Sequence, residues 1–463
     1  MLHRENTPLR RLLGPLDAAS LLVGCVLGAG VLIVPGQIAP RLPSAALGLT
    51  LWLAGAIVSV VGSWCVARLA AEAPTAGGSY SYLRRCYGDT VGFLSGWTGL
   101  VIVNCAVPAA LALALGSAAK RLMPSLPDPM SSAGIAILAS ATVALVGLKL
   151  GKQLLNVLSL VKLLGVGLVV GTVLWKQPSA LSRVAEWTSS EPFSWASIGA
   201  AFIGILWTYD GWTYLAFAGE EARQPSRTLR IGFRAGIVVV AVAVLTATTA
   251  YYAALPAEQM AASEAPIALT VMNHYWGSAG ELLMHPIILA AIFGSLCALF
   301  TTASRASLQM ARDGALPALL GRVSKRSCVP WVAILLQAAG ALALLTHGTF
   351  GQILAVSFVI DWLFKLLLIG SLLRPLPHSP GAPAASTARS SDQRPLAVRL
   401  VAGGWCVVIA GVVMMAAWSE PRSAALGLLL AAAGMPVRWL LQRRGAALPG
   451  SEQPVREAEV ASR

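Results

Sequence analysis

Two stretches decide the fold: VGCVLGAGVLIVPG at residues 23–36 and ILWTYDGWTYLAFAG at residues 205–219. Each lies in an apolar run long enough to cross a hydrocarbon core of about 30 Å, which takes about 20 helical residues. The first run holds Gly24, Gly28, Gly30, Pro35 and Gly36, with Gly28-Ala29-Gly30 near its middle; the second holds Asp210 and Gly211 in otherwise apolar surroundings. In lipid an unpartnered backbone N–H or C=O costs several kcal/mol, so broken helix survives at depth only where it faces protein or a polar cavity. Taken alone, the glycines of the first run fit close packing through small residues as well as they fit an opened helix. Packing is the simpler account of Gly92 and Gly96, and of Gly167 and Gly171.

The surrounding chain of 463 residues is 56% hydrophobic and 12% charged, with a mean hydropathy of +0.71, against about 25% charged for a soluble domain. A water-soluble globule is excluded. Apolar segments of spanning length run at about 16–39, 44–67, 91–116, 133–150, 153–175, 195–219, 232–254, 286–309, 331–346, 350–373, 396–418 and 422–440, twelve in all. With the N-terminus inside, the cytoplasmic segments hold 26 Lys and Arg and the outer ones six; basic residues accumulate on the cytoplasmic side, so both termini are expected there. The net charge of +14 then follows from topology, and no nucleic acid partner is needed.

Spans 1–5 (16–175) and 6–10 (195–373) make two five-helix blocks, after an N-terminal cytoplasmic segment at 1–15. A Pro- and Ser-rich cytoplasmic linker (374–395), two further helices (396–440) and a cytoplasmic tail (441–463) follow. Five is odd, so the second block enters the membrane from the opposite side, as an inverted repeat. Interrupted helices at equivalent places in two such halves point to a transporter binding site. Freed N–H groups at a positive helix end suit a carboxylate and freed carbonyls suit an ammonium, so a zwitterion fits. At about 1.5 Å per residue, Gly28–Gly30, Asp210 and Lys162 all fall roughly 14 to 20 Å from the cytoplasmic side.

The stretches VGCVLGAGVLIVP (23–35), PTAGGSYSYLRRCYGDTVGFLSGW (74–97), YDGWTYLAFAGEEARQPSRTL (209–229) and GSLCALFTTASRASLQMARDGALP (294–317) resemble the amino acid, polyamine and organocation (APC) transporter superfamily. Within it they are similar to the L-type amino acid transporter family, including bacterial serine/threonine exchangers. The resemblance implies an all-α integral membrane protein of twelve transmembrane helices: a five-plus-five inverted repeat with two C-terminal helices, helices 1 and 6 unwound at mid-membrane, alternating access, and a place in the bacterial cytoplasmic membrane. It also implies a site at the two breaks, including Gly28 and Gly211. Backbone N–H groups around Ala29 and Gly30 would hold the substrate carboxylate, with Cys25 nearby. Carbonyls of Val26, Trp207 and Asp210 would hold the ammonium. Trp207 would gate the site, Thr208 and Tyr209 would shape the side-chain pocket, and Glu220 with Glu221 would form part of an inner gate. Lys162 matches a lysine that stands in for sodium in some sodium-independent members. The sequence departs at Ala29 and Cys25, where relatives carry hydroxyls, at Thr213 after Gly211-Trp212, and at Cys297-Ala298 in place of Asn-Gly. The outer loop between spans three and four has no Cys, so no disulfide-linked accessory subunit is expected.

Four ionisable residues lie well inside spans, away from their ends: Lys162, Asp210, Asp361 and Lys365; such charges default to function or mutual pairing. Asp361 and Lys365, four apart with the acid first, suit an intrahelical pair. Lys162 reads either as a cap on the broken helix or as a proton-coupling group. Asp210 reads as a cap on the second half-helix or as a direct contact to the ammonium. Trp187, Trp195, Trp276, Trp331 and Trp418, near outer span ends, read as interfacial anchors. The histidines make no metal spacing, no nucleophile–base motif appears, and no enzyme activity or cofactor is expected. The expectation is a secondary active transporter of neutral amino acids by sodium-independent exchange or uniport, since only Asp210 is placed to read a charge. The alternative is a proton-coupled carrier of amino acids or polyamines.

Overall fold

The computed structural model describes residues 9–189, 192–263, 265–345, 350–374 and 394–443. Most of the expected linker and most of the tail lie outside the described residues. The protein is an all-α integral membrane protein. Helices α1 (Pro15–Val26) and α2 (Gly30–Ile38) form the first interrupted run, and α3 (Ala45–Glu72) returns across the bundle. Helix α4 (Gly78–Tyr87) precedes α5 (Asp89–Thr98), which continues through a π-helical turn at Gly99–Val103 into α6 (Asn104–Leu122). Then come α7 (Pro129–Val146), α8 (Leu148–Lys176), the short α9 (Ala180–Glu186) and α10 (Trp195–Thr208), which gives way to a 3-10 segment at Trp212–Glu221. The chain goes on through α11 (Pro225–Ala254), α12 (Ala257–Ala261), α13 (Ile267–Trp276) and α14 (Ser278–Arg312). It ends with α15 (Trp331–Leu345), α16 (Phe350–Gly370), α17 (Leu396–Ser419), α18 (Pro421–Ala432) and α19 (Gly434–Arg443).

Among the described residues ten helical runs are long and apolar enough to cross a membrane. Two of the twelve expected segments fall short for visible reasons. The run at 195–219 stops being α-helix at Thr208, and Trp331–Leu345 is described over only 15 residues. The boundary expected near 150–153 is displaced: Gly147, at φ +118°, ends α7, and Lys149 and Lys152 ride on the start of α8. A side chain at Gly147 would lie 3.0 Å from the Ser327 carbonyl oxygen, so the turn needs glycine.

Burial orders the helices from centre to rim. The apolar window of Pro15–Arg41 is 83% buried, whereas those of Leu396–Ser419 and Pro421–Arg443 are 28% and 22% buried. The first run therefore sits at the centre, with α1 against α8, α11 and α14 and α2 against α10 and α13. Leu53 and Ile57 on α3, Val157, Leu160 and Leu164 on α8, and Val238 and Val242 on α11 are exposed. Their three- and four-residue spacing makes continuous apolar stripes of the kind that face lipid.

Two expectations about charge and interface are corrected. Arg305, counted with the cytoplasmic connection, lies within α14 and is fully buried. Trp187 is buried too, donating from Nε1 to the Leu255 carbonyl at 2.9 Å and meeting Tyr252 edge-on; Trp195 and Trp418 are strongly exposed.

Candidate functional site

At the end of α1 the hydrogen-bond ladder changes register. Leu27 N–H still reaches the Val23 carbonyl at 2.8 Å, but Gly28 N–H turns to Val26, at 2.9 Å, leaving the Gly24 carbonyl without its helical donor. Two side chains take that carbonyl: Lys162 from α8, whose Nζ donates at 2.9 Å, and Ser295 from α14, whose Oγ donates at 2.8 Å. Lys162 also donates to Ser295 Oγ, at 2.8 Å, and is only 3% exposed. A cation at a helix C-terminus meets the negative end of the helix dipole, so Lys162 caps the first half-helix. Beyond Leu27, Gly28 and Ala29 the chain re-enters helix at Gly30. Among the described residues, no acceptor takes the N–H of Ala29 or Gly30. Such orphan donors at a helix start form an anion seat.

The second break follows Thr208. Asp210 N–H bonds to the Trp207 carbonyl at 3.1 Å, Gly211 takes φ +112°, and the 3-10 segment begins at Trp212. Asp210 Oδ1 accepts the N–H of the adjacent Gly211 at 2.5 Å, so it does not cap the 3-10 segment through the N–H groups of that segment, while its Oδ2 accepts from Lys365 Nζ at 2.7 Å. Lys365 also pairs with Asp361, so the expected intrahelical pair is part of a cluster of three.

The two breaks touch. A Cβ on Gly211 would lie 2.8 Å from the Cys25 carbonyl oxygen, and one on Gly30 would lie 3.0 Å from Thr208 Cα. Beside this contact is a cavity of about 50 Å³. Cys25, Val26, Gly28, Ala29, Gly30, Trp207, Thr208, Asp210 and Gly211 all line it. Tyr209 does not: it is turned away, buried with its ring edge-on to Trp52 at 6.0 Å. The Val26 carbonyl accepts one backbone N–H, leaving a second lone pair for a ligand, whereas the Trp207 carbonyl accepts from Asp210 and, at the end of α10, from Tyr209.

The remaining wall was not anticipated. Val103, Val107 and Leu111 come from the π-helical turn and α6, Leu299 from α14, Tyr214 from the 3-10 segment and Asp361 from α16. The four-residue spacing of Val103, Val107 and Leu111 was visible in the sequence, but nothing local said which neighbour that face meets. A second cavity of about 60 Å³ shares Val103, Tyr214 and Asp361 with the first and extends to Tyr80, Phe217 and Lys365. Asp361 therefore belongs to the wall between them, which corrects the expectation that Asp210 is the sole charge placed at the site.

Glu220 and Glu221 are held by ion pairs. Glu221 meets Arg305 at 2.9 Å with side chains 2% and 1% exposed, and Glu220 meets Arg312 at 2.8 Å. The Glu221 carbonyl accepts the N–H groups of Leu12 and Leu13, both at 2.9 Å. The end of the 3-10 segment is thus tied to α14 and to the N-terminal segment.

Residues 13–422 match the family described as amino acid permease. The chain is 26% identical to the serine/threonine exchanger SteT of Bacillus subtilis (strain 168) over 448 residues, 96% of this chain and 100% of that protein. It is 24% identical to the human large neutral amino acids transporter small subunit 2 over 450 residues, 93% of this chain and 80% of that protein. With the human b(0,+)-type amino acid transporter 1 it shares 26% identity over 377 residues, 80% of this chain and 77% of that protein.

Proposed function

The chain belongs to the amino acid permease family, and from that premise we propose that it carries neutral amino acids across a bacterial cytoplasmic membrane by sodium-independent exchange or uniport. The coarser statement needs no proposal: it is a membrane-embedded secondary transporter of the APC superfamily, and the family it belongs to is one of carriers rather than enzymes. In the finer reading twelve spans form a five-plus-five inverted repeat followed by two further helices, both termini are cytoplasmic, and spans one and six open at mid-membrane. The blocks are 16–175 and 195–373.

One observation carries this reading: two helix interruptions in van der Waals contact beside a cavity, with no acceptor among the described residues for the amides of Ala29 and Gly30. There the amides hold the substrate carboxylate and the carbonyls of Val26, Trp207 and Asp210 hold its ammonium. Trp207 closes over it, and Val103, Val107, Leu111 and Leu299 favour an apolar or small side chain. The ammonium of Lys162 on the Gly24 carbonyl supports sodium independence, because a cation already sits at the end of the first half-helix. Glu220 and Glu221 act in the inner gate through Arg312 and Arg305. Relatives named for serine/threonine exchange and for large neutral amino acids support the substrate class. The test is reconstitution into liposomes preloaded with unlabelled amino acids, followed by uptake of labelled L-serine, L-threonine or L-leucine in sodium-free buffer. Trans-stimulated uptake is expected; no uptake of any amino acid with or without sodium would refute the reading.

A further inference from the structure

The cluster of Asp210, Asp361 and Lys365 is not accounted for by binding a zwitterion through backbone groups. Lys365, 4% exposed at its side chain, gives its one ammonium to two carboxylates, so the fully ionised cluster is one negative charge in excess. It stands where the two cavities meet, with Asp361 lining both. An unbalanced charge in a low-dielectric wall is costly, and two carboxylates sharing a site oppose each other's ionisation.

The surroundings decide which acid can take up the balancing charge. Asp210 already uses both oxygens, one accepting from Gly211 N–H and one from Lys365. Asp361 accepts from Lys365 through Oδ2 and faces the Asp210 carboxyl within hydrogen-bonding reach, and among the described residues no other donor reaches its Oδ1. Among the described residues, no cation other than Lys365 acts on it from the elements packed on α16. Tyr214 of the 3-10 segment donates its hydroxyl to Asn104 Oδ1 at 3.1 Å, and Cys105 of α6 donates to the Leu100 carbonyl. Cys406 of α17 donates to the Leu366 carbonyl, and Tyr87 of α4 donates to the Leu367 carbonyl, with Arg374 over its ring. Lys162, the proton-coupling candidate in the sequence, is committed to Gly24 and Ser295 and lines neither of these two cavities.

We propose that Asp361 is the proton site of this carrier: its free carboxylate oxygen takes a proton when one substrate molecule enters alone, and keeps it while substrates are exchanged. The proton moves from water in the cavity to Oδ1 and leaves to water on the other side, with no other bond changed. This inference rests on the cavity being the amino acid site, and it makes entry without exchange proton-coupled in place of uniport. It assigns the excess charge to a proton rather than to a cationic substrate.

The test uses the full chain in liposomes with a pH-sensitive dye in the lumen and L-serine, L-threonine and L-leucine as probes. Net uptake into liposomes without internal substrate should acidify the lumen, and exchange with internal substrate should not. One unit of inward pH gradient should drive up to about tenfold accumulation, the limit for one proton per substrate. Asp361→Asn should abolish acidification and gradient-driven accumulation, and Asp361→Glu should restore them. Net uptake by the wild type without acidification and with a rate flat from about pH 5 to 8 would overturn the proposal, whether or not the variants fold. So would an Asp361→Asn protein that acidifies the lumen as the wild type does. Uptake of L-lysine without acidification would overturn it as well, by making Asp361 the counter-charge of a cationic substrate. Absence of all amino acid uptake would instead refute the transport reading itself.

Discussion

Gly211→Ala probes the contact between the two breaks most directly. Gly211 sits at φ +112°, outside the regions that L side chains enter easily, and such a conformation costs about 1–3 kcal/mol for a non-glycine residue. The added Cβ would lie 2.8 Å from the Cys25 carbonyl oxygen and 3.0 Å from its carbon. Both are backbone atoms that cannot rotate aside, so the end of α1 must move away from the second break. At about 1.4 kcal/mol per factor of ten, the strain alone predicts roughly a 5- to 150-fold loss of initial uptake rate. Gly30→Ala should be intermediate: its Cβ meets Thr208 Cα at 3.0 Å, with no unusual φ. Gly171→Ala on α8 is the control, because nothing lies within 4 Å of its Cβ. Initial uptake rates in liposomes, with Tm measured on the same preparations, separate a damaged site from a damaged fold. A Gly211→Ala protein within twofold of wild type in rate would refute the claim that the two interruptions must touch there.

Lys162→Met removes the charged donor from the Gly24 carbonyl but leaves Ser295. It should lower stability by about 1.5–3 kcal/mol and depress uptake, while the pH response of the remaining activity persists, as read in a pH series of exchange rates. Arg305→Met leaves the buried Glu221 carboxylate without its cation and should cost about 3–5 kcal/mol in a detergent unfolding assay, whereas adding Glu221→Gln should recover a large part of that loss. Lys365→Met leaves Asp210 and Asp361 facing each other across the cavity wall, so L-lysine should compete for the site at least tenfold better than in the wild type, measured by inhibition of labelled uptake.

The features legible in the sequence are those governed by local constraint. A membrane helix must carry its apolar run within itself, so most span positions emerge from hydropathy. Gly28-Ala29-Gly30 and Asp210-Gly211 are likewise visible because the residue type at the break is itself the signal. Long-range pairing is not visible this way. Arg305, at the end of the run expected at 286–309, looks like one more cytoplasmic basic residue beside Arg312 until Glu221, 84 residues away, is placed against it. Asp361 and Lys365 look like a self-contained pair until Asp210, 155 residues from Lys365, joins them. Tyr209 fails for a finer reason: next to Thr208 and Asp210, which both line the cavity, it points the other way onto Trp52. Only the local turn after α10 decides that direction.

The two ends of the first break are treated unequally, and this bears on how the site works. The acceptor left over at the end of α1, the Gly24 carbonyl, is satisfied by Lys162 and Ser295. The donors left over at the start of α2, on Ala29 and Gly30, have no acceptor from the described residues. Leaving buried amides unmet costs a few kcal/mol unless water or ligand supplies the acceptor. A carboxylate therefore gains there what protein contacts do not already provide, whereas a sodium ion seeking the Gly24 oxygen would have to displace an ammonium. In the proposed reading, recognition of the common amino acid backbone is independent of Asp361, and the side chain would be read separately by Val103, Val107, Leu111 and Leu299, which line the cavity. The cluster around Lys365 then stays free to respond to charge, so substrate choice and proton response can be altered at different residues.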